Sequence, residues 1–259
     1  METRLELVKK VVLETGQLIR QRINEDMEIE TKGGRRSDFV TSVDIEAEKF
    51  IVDKISAQFP NDSFLTEEKT VSLQESDYVW IIDPIDGTMN FIYTLRDFAV
   101  SIALYVNGVG KIGVVYDVMA DELFVGVKGK GVTLNGKPIP KLTPVTLKQS
   151  LVDISLKSIR SLRNKGIADL VNLSPAILSH RNLGSAALRI THIGLNRVHM
   201  YIASQLCVWD IAAAIIILEE LGGVHNFMDK ELPYNYDDFV FMGSNNKEIE
   251  VEIKEKFFI

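Results

Sequence analysis

The tightest constraint on this chain is the segment Asp83-Pro84-Ile85-Asp86-Gly87-Thr88-Met89-Asn90-Phe91, which directly follows the apolar run 78–82. That run is short and stops at Asp83-Pro84, the pattern of a buried strand. Two aspartates then stand three positions apart, with proline restricting the backbone between them. Strand ends are where an α/β sheet exposes its chemistry. Carboxylates this close repel each other when both are ionised, and a divalent cation between them removes the repulsion. Oxygen-only donors favour magnesium, calcium or manganese over zinc. Gly87 and Thr88 would offer backbone N–H groups beside the cation, a cradle for phosphate oxygens. Either aspartate alone reads as a turn cap; the whole segment reads as a metal site.

The flanking pattern predicts helices and sheets in layers. Leu5, Val8, Val12, Ile19 and Ile23 fall on one helical face, so the chain opens with an amphipathic helix. A second helix is expected over 44–59, with Ala47, Ile51 and Ile55 buried and Pro60-Asn61-Asp62 ending it. Short strands over 98–105, 111–117, 122–127 and 132–134, separated by turn residues, predict an antiparallel meander. Beyond residue 150 strands and helices alternate, and the clearest helix, 210–221, is closed by Gly222-Gly223. The expected organisation is a lobe over 1–150 carrying most of the candidate ligands and a lobe over 151–259 supplying Asp210.

Further acids are candidates for the site. Glu67-Glu68 follows a possible strand at 63–65, and adjacent strand residues face opposite ways, so at most one is a direct ligand. Asp210 and Asp44 each stand at a helix start, where an aspartate by itself is most simply a cap.

A chain of 259 residues suits one large domain or two joined lobes. Its net charge of −7 opposes nucleic-acid binding, which needs a basic face. It would also repel a phosphate unless cations were held in the site. The single cysteine, Cys207, excludes an intramolecular disulfide and suits a reducing cytoplasm. The first ten residues lack a signal peptide's apolar core, and the run 211–218 is far shorter than the ~20 residues that span a bilayer, so no membrane association is expected.

Taken in order, these segments resemble the inositol monophosphatase family of lithium-sensitive phosphatases, over nearly the whole chain. Asp38-Phe39-Val40-Thr41-Ser42-Val43-Asp44 is similar to its D-x-V-T-x-x-D, Thr66-Glu67-Glu68 to its G/S-E-E, and Asp83 to Phe91 to its D-P-x-D-G-T-x-N-F. Gly184-Ser185-Ala186-Ala187 is similar to its G-S-A-A, and Trp209-Asp210 to its closing W-D. The resemblance implies an α+β/α/β layered α-β-α-β-α sandwich with two sheets, a homodimer, and magnesium-dependent hydrolysis of a small phosphorylated metabolite. It implies a first metal on Glu67, Asp83 and the carbonyl of Ile85, a second on Asp83, Asp86 and Asp210, and a third, weaker one near Glu67. Manganese would substitute for magnesium, and lithium would inhibit. Asp44 and Thr88 would orient the attacking water, with Glu68 supporting the site. Gly87 and Thr88 would hold the phosphate, and Gly184, Ser185 and Ala186 would lie beside the leaving group.

Two departures bear on this. Thr66 replaces glycine or serine. Ala203 stands where inositol-specific members carry a glutamate that binds sugar hydroxyls, and a methyl group cannot accept those hydrogen bonds. A roomier, less selective pocket is therefore expected. The basic stretch Lys32-Gly33-Gly34-Arg35-Arg36 reads either as a solvated surface loop or as the segment that would meet a second anionic group, as in NADP(H). The substrate candidates are inositol monophosphate, the 2′-phosphate of NADP(H), other sugar phosphates, fructose 1,6-bisphosphate and adenosine 3′,5′-bisphosphate. A haloacid-dehalogenase-type phosphatase would need a nucleophilic aspartate where Pro84 stands. A regulatory binding protein is the non-enzyme alternative.

Overall fold

A computed structural model of the chain describes residues 1–23, 25, 29–31, 39–228, 232 and 237–259. The basic stretch 32–36 and Asp38 lie outside the described residues. Helices α1 (Glu2–Arg22) and α2 (Ser42–Ser56) flank a small antiparallel pair, β1 (Ile29–Thr31) and β2 (Phe39–Thr41).

A seven-stranded sheet follows in chain order: β3 (Ser63–Thr66), β4 (Tyr78–Asp86), β5 (Ala99–Val106), β6 (Val109–Asp117), β7 (Glu122–Val127), β8 (Gly131–Leu134) and β9 (Lys137–Pro138). Only the β3–β4 pair is parallel. The short helix α3 (Thr88–Tyr93) leaves the end of β4.

The remaining elements are β10 (Leu151–Ile154), α4 (Leu156–Asn164), β11 (Ser179–Arg181), α5 (Ala186–Ile193), β12 (Met200–Cys207), α6 (Val208–Leu221), β13 (Val224–His225), β14 (Asp237–Ser244) and α7 (Lys247–Phe257). Their strands form a second sheet in the order β11-β10-β12-β14-β13.

Strand alternation builds the layers. On β4, Trp80 and Ile82 pack against Val8, Val12, Ile51 and Ile55 of α1 and α2. Val79 and Ile81 face the other way, into a core with Leu188 and Ile190 of α5 and Ile211, Ile215 and Ile217 of α6. Tyr201, Ala203, Phe239 and Phe241 of the second sheet close the far side of that core. On the outer face, Val152, Ile154, Met200, Ile202 and Met242 pack against Leu162 of α4 and Ile249 and Ile253 of α7. The result is the expected α-β-α-β-α sandwich. Because α6 lies between two sheets, it is apolar nearly all round rather than striped.

The meander matches its expected strands to within a few residues, and β9 extends it. The second helix runs over 42–56 rather than 44–59. The larger difference is β4, which passes through Asp83-Pro84 to Asp86 instead of stopping. Asp83 pairs with Ser101 and Asp86 with Ala99, so β4 fits three steps against two of β5. The extra residue is a bulge, which accommodates a proline that a regular ladder would reject.

Candidate active site

The bulge decides where the two aspartates point. Residues three apart on a regular strand face opposite sides. One inserted residue restores parity, so Asp83 and Asp86 emerge toward the same side, as their partners Ser101 and Ala99 do. The Asp83 Oδ1 accepts the N–H of Ile85 at 3.1 Å, which stabilises the bulge from within.

Three further segments converge there. The parallel register of β3 with β4 pairs Thr66 with Ile82, and the N–H of Glu67 continues the ladder to the Ile82 carbonyl at 3.2 Å. Glu67 is thereby delivered beside Asp83, and the two carboxyl groups hydrogen-bond. From the second sheet, β12 runs directly into α6 and brings Asp210. One carboxylate oxygen from each of Asp83, Asp86 and Asp210 lies within 4.8 Å of the others.

Asp44 Oδ2 accepts the N–H of Thr41 at 2.8 Å and also the Thr41 hydroxyl. Its Oδ1 lies 3.5 Å from the hydroxyl of Thr88, which donates to the Ile85 carbonyl at 3.2 Å. Asp44 and Asp210 are therefore both the third residue of their helices, closing capping boxes on Thr41 and Cys207. The helix of Asp210 begins at Val208, and Asp210 Oδ2 accepts the N–H of Cys207 at 2.6 Å. A cap and a second task coexist in each aspartate because a carboxylate has two oxygens.

Gly87 sits at φ +96°, in the left-handed region, and a Cβ there would come within 3.3 Å of the Asp97 carbonyl. This allows α3 to start immediately after Asp86. Gly184 has φ +85°, and a Cβ would stand 2.5 Å from Nδ2 of Asn90. That amide donates to the carbonyls of Asp97 and Leu183, at 2.8 Å each, and ties the two loops together. Beyond Gly184, the Ser185 hydroxyl and the N–H of Ala187 donate to Asp86 Oδ2, and the N–H of Ala186 to Oδ1. Asp86 thus caps α5 and ties it to the end of β4.

Two residues that the sequence did not mark also hold this arrangement. Glu48, fully buried on α2, accepts the N–H groups of Glu68 and Thr70 at 2.6 and 2.9 Å and the Thr70 hydroxyl at 2.8 Å. It fixes the Glu67-Glu68 turn. Its signal was an acid four residues after Asp44, on the apolar stripe of Ala47 and Ile51. Asp153 was an acid inside the short apolar run of β10.

The acids of the site crowd one another electrostatically. Burial, with the nearby charges of Glu67, Asp86 and Asp210, pushes the Asp83 carboxyl well above the usual carboxylate range. Burial pushes Asp86 up to about 6, against the hydrogen bonds from Ser185, Ala187 and Ala186. A hard divalent cation fits such a donor set, since carboxylate oxygens are its preferred ligands. Glu67, Asp86 and Asp210 open onto a cleft of about 340 Å³ bordered by Gly87, Thr88, Gly184, Ser185 and Ala186, with Asp83 buried behind them.

Residues 1–257 match the family model described as the inositol monophosphatase family. The inositol-1-monophosphatase of Bacillus subtilis (strain 168) is 36% identical over 256 residues, covering 97% of this chain and 95% of that protein. The fructose-1,6-bisphosphatase/inositol-1-monophosphatase of Thermotoga maritima is 34% identical, covering 92% and 90%. The crystal structure of 2′-AMP-bound staphylococcal IMPase-II superposes with a TM-score of 0.84 at 27% identity, covering 99% of this chain and 93% of that one. Near-complete coverage, and a fold that brings the scattered acids to one cleft, place this chain in the inositol monophosphatase family.

Proposed function

We propose that the protein is a magnesium-dependent phosphomonoesterase. The observation that carries this is the convergence of Asp83 and Asp86 from β4 with Asp210 from α6, at a cleft lined by Glu67, Asp86, Thr88 and Asp210, with Asp44 3.5 Å from the Thr88 hydroxyl. Asp83, Asp86 and Asp210, with Glu67 and the carbonyl of Ile85, would hold two or three magnesium ions, or manganese in their place. When bound, such ions neutralise the phosphate and acidify a water molecule.

The chain's own groups do the positioning. Asp44 Oδ1, 3.5 Å from the Thr88 hydroxyl, would accept its hydrogen bond in place of the Ile85 carbonyl, which leaves a Thr88 lone pair for the attacking water. The N–H groups of Gly87 and Thr88, at the start of α3, hold the phosphate. Glu68, anchored by Glu48, keeps Glu67 in place. Gly184, Ser185 and Ala186 flank the leaving group. Phosphoryl transfer to water needs charge neutralisation and alignment, so no protein nucleophile is required.

The substrates we propose are inositol monophosphate and the 2′-phosphate of NADP(H). The names of the Bacillus relative and of the 2′-AMP complex support these two. The Thermotoga relative keeps fructose 1,6-bisphosphate as an alternative. We also propose a cytoplasmic homodimer inhibited by lithium. Among the described residues no helix is long and apolar enough to cross a membrane.

A phosphate-release screen over these compounds and adenosine 3′,5′-bisphosphate, with magnesium and with or without lithium, tests the reading. Release from inositol 1-phosphate and NADP(H), suppressed by lithium at roughly tens of millimolar, is the expected result. Silence across the panel would favour the regulatory binding protein, and a trapped aspartyl phosphate would favour the dehalogenase-type mechanism.

A further inference from the structure

Ala203 stands where inositol-specific relatives would place an acid on the sugar hydroxyls, yet the pocket is not apolar at that point. On β10, Val152 and Ile154 face the outer core, so the pleat turns Asp153 inward. The register pairs Asp153 with Tyr201, which faces the same side as Ala203 two residues on. Asp153 therefore reaches the wall of the cleft from the neighbouring strand and lines it together with Ser204.

Both residues are built in and incomplete. Asp153 is 1% exposed and Ser204 7%. The Asp153 carboxylate accepts the N–H of Leu183, but its Oδ2 has no hydrogen-bond partner. The Ser204 hydroxyl has none either, although its N–H donates to the Ser158 hydroxyl at 3.1 Å. Buried polar atoms are rarely left unpaired, and an unpaired acceptor and an unpaired hydroxyl on two residues that line one cleft suit a polyhydroxylated ligand. Burial pushes the Asp153 carboxyl up, while the Arg189 guanidinium, the Leu183 N–H, His180 and Arg181 pull it down. Arg189 is itself buried, lies 3.4 Å from Asp97 and leaves its Nε unpaired, so its charge is not fully consumed elsewhere.

We propose that Asp153, with Ser204, is the specificity-determining pair of the leaving-group pocket, where Asp153 Oδ2 accepts and Ser204 Oγ exchanges hydrogen bonds with the free hydroxyls of a phosphorylated polyol or sugar. This rests on the phosphatase reading. It replaces the unselective pocket expected from Ala203 with one that prefers hydroxyl-rich leaving groups, because a site built to bond a hydroxyl leaves its own polar groups stranded without one.

The test compares kcat/KM for inositol 1-phosphate and for p-nitrophenyl phosphate, whose leaving group bears no free hydroxyl, at saturating magnesium. In Asp153→Ala the ratio of the two should fall roughly 10- to 100-fold, as for loss of a hydrogen bond to a charged group, and in Ser204→Ala by several-fold. Asp153→Asn keeps the side-chain shape, reads the same ratio with a smaller fall, and serves if Asp153→Ala does not fold. A ratio within about twofold of wild type in both Asp153 variants overturns the proposal, whether both rates persist or both fall together. A wild-type protein that hydrolyses only p-nitrophenyl phosphate overturns this proposal and leaves the phosphatase reading standing. One that hydrolyses neither compound overturns the phosphatase reading and this inference with it.

Discussion

Asp83 is a buried carboxyl crowded by other acids. It is 1% exposed, its carboxyl is raised by burial and by three acidic neighbours, and it stands between Glu67 and Asp86. Asp83→Asn or Asp210→Asn should cut magnesium-dependent turnover by more than about 100-fold, beyond the loss typical of a residue that only supports a metal ligand. In metal-free protein, Asp83→Asn should raise the melting temperature, since removing one of several crowded carboxylates relieves repulsion. Loss of activity with a lowered melting temperature would point instead to a structural role. Thermal melts with and without magnesium, alongside phosphate release, separate the two.

At the scale of elements, the site depends on three local devices: the bulge in β4, the capping boxes of α2 and α6, and the grip of Glu48 on the turn after β3. The last is the most exposed to test, because one buried side chain accepts three hydrogen bonds from a segment with little core of its own. Glu48→Ala should cost at least about 1–3 kcal/mol in a denaturant titration, the penalty for stranding buried partners. It should also weaken magnesium binding by releasing Glu67, which calorimetric titration would detect. Intact magnesium affinity in a destabilised variant would confine Glu48 to stability. The bulge shows why a pattern of residues underdetermines an element. Pro84 reads as a strand terminator, but β5 supplies a partner that continues past it.

For the whole molecule, the packing of α5 against the first sheet sets a pH limit on stability. Burial, then the charges of Arg189 and Arg197, lowers His192 to about 3, and the ring nitrogen lies 3.2 Å from Arg197. The unfolded chain binds a proton at this residue below about pH 6.5 while the folded one does not, so stability falls as pH drops through that window. The expected loss from this group is roughly 2 kcal/mol between pH 8 and pH 5. Urea titrations of wild type and His192→Asn should differ in pH slope by about that amount across the window. Parallel slopes would mean that His192 is protonated in the folded state.

Chemistry and layering were legible from the residues alone. An apolar run ending in two aspartates points to a cation site, since a cation relieves the repulsion of carboxylates this close. The meander announced itself through turn residues, and α6 through its length and its closing glycine. These signals are local, and local sterics and hydration produce them. What only the tertiary structure decided is which acids meet. Glu67, Asp83, Asp86 and Asp210 span nearly 150 positions, and nothing in their spacing brings them together. Strand register, one bulged residue and the stacking of α5 and α6 between two sheets do that. The same holds for Asp153, whose meaning depends on the strand beside it and the direction of the pleat. Side-chain chemistry is a property of the residue, whereas proximity is a property of packing, and a site needs both.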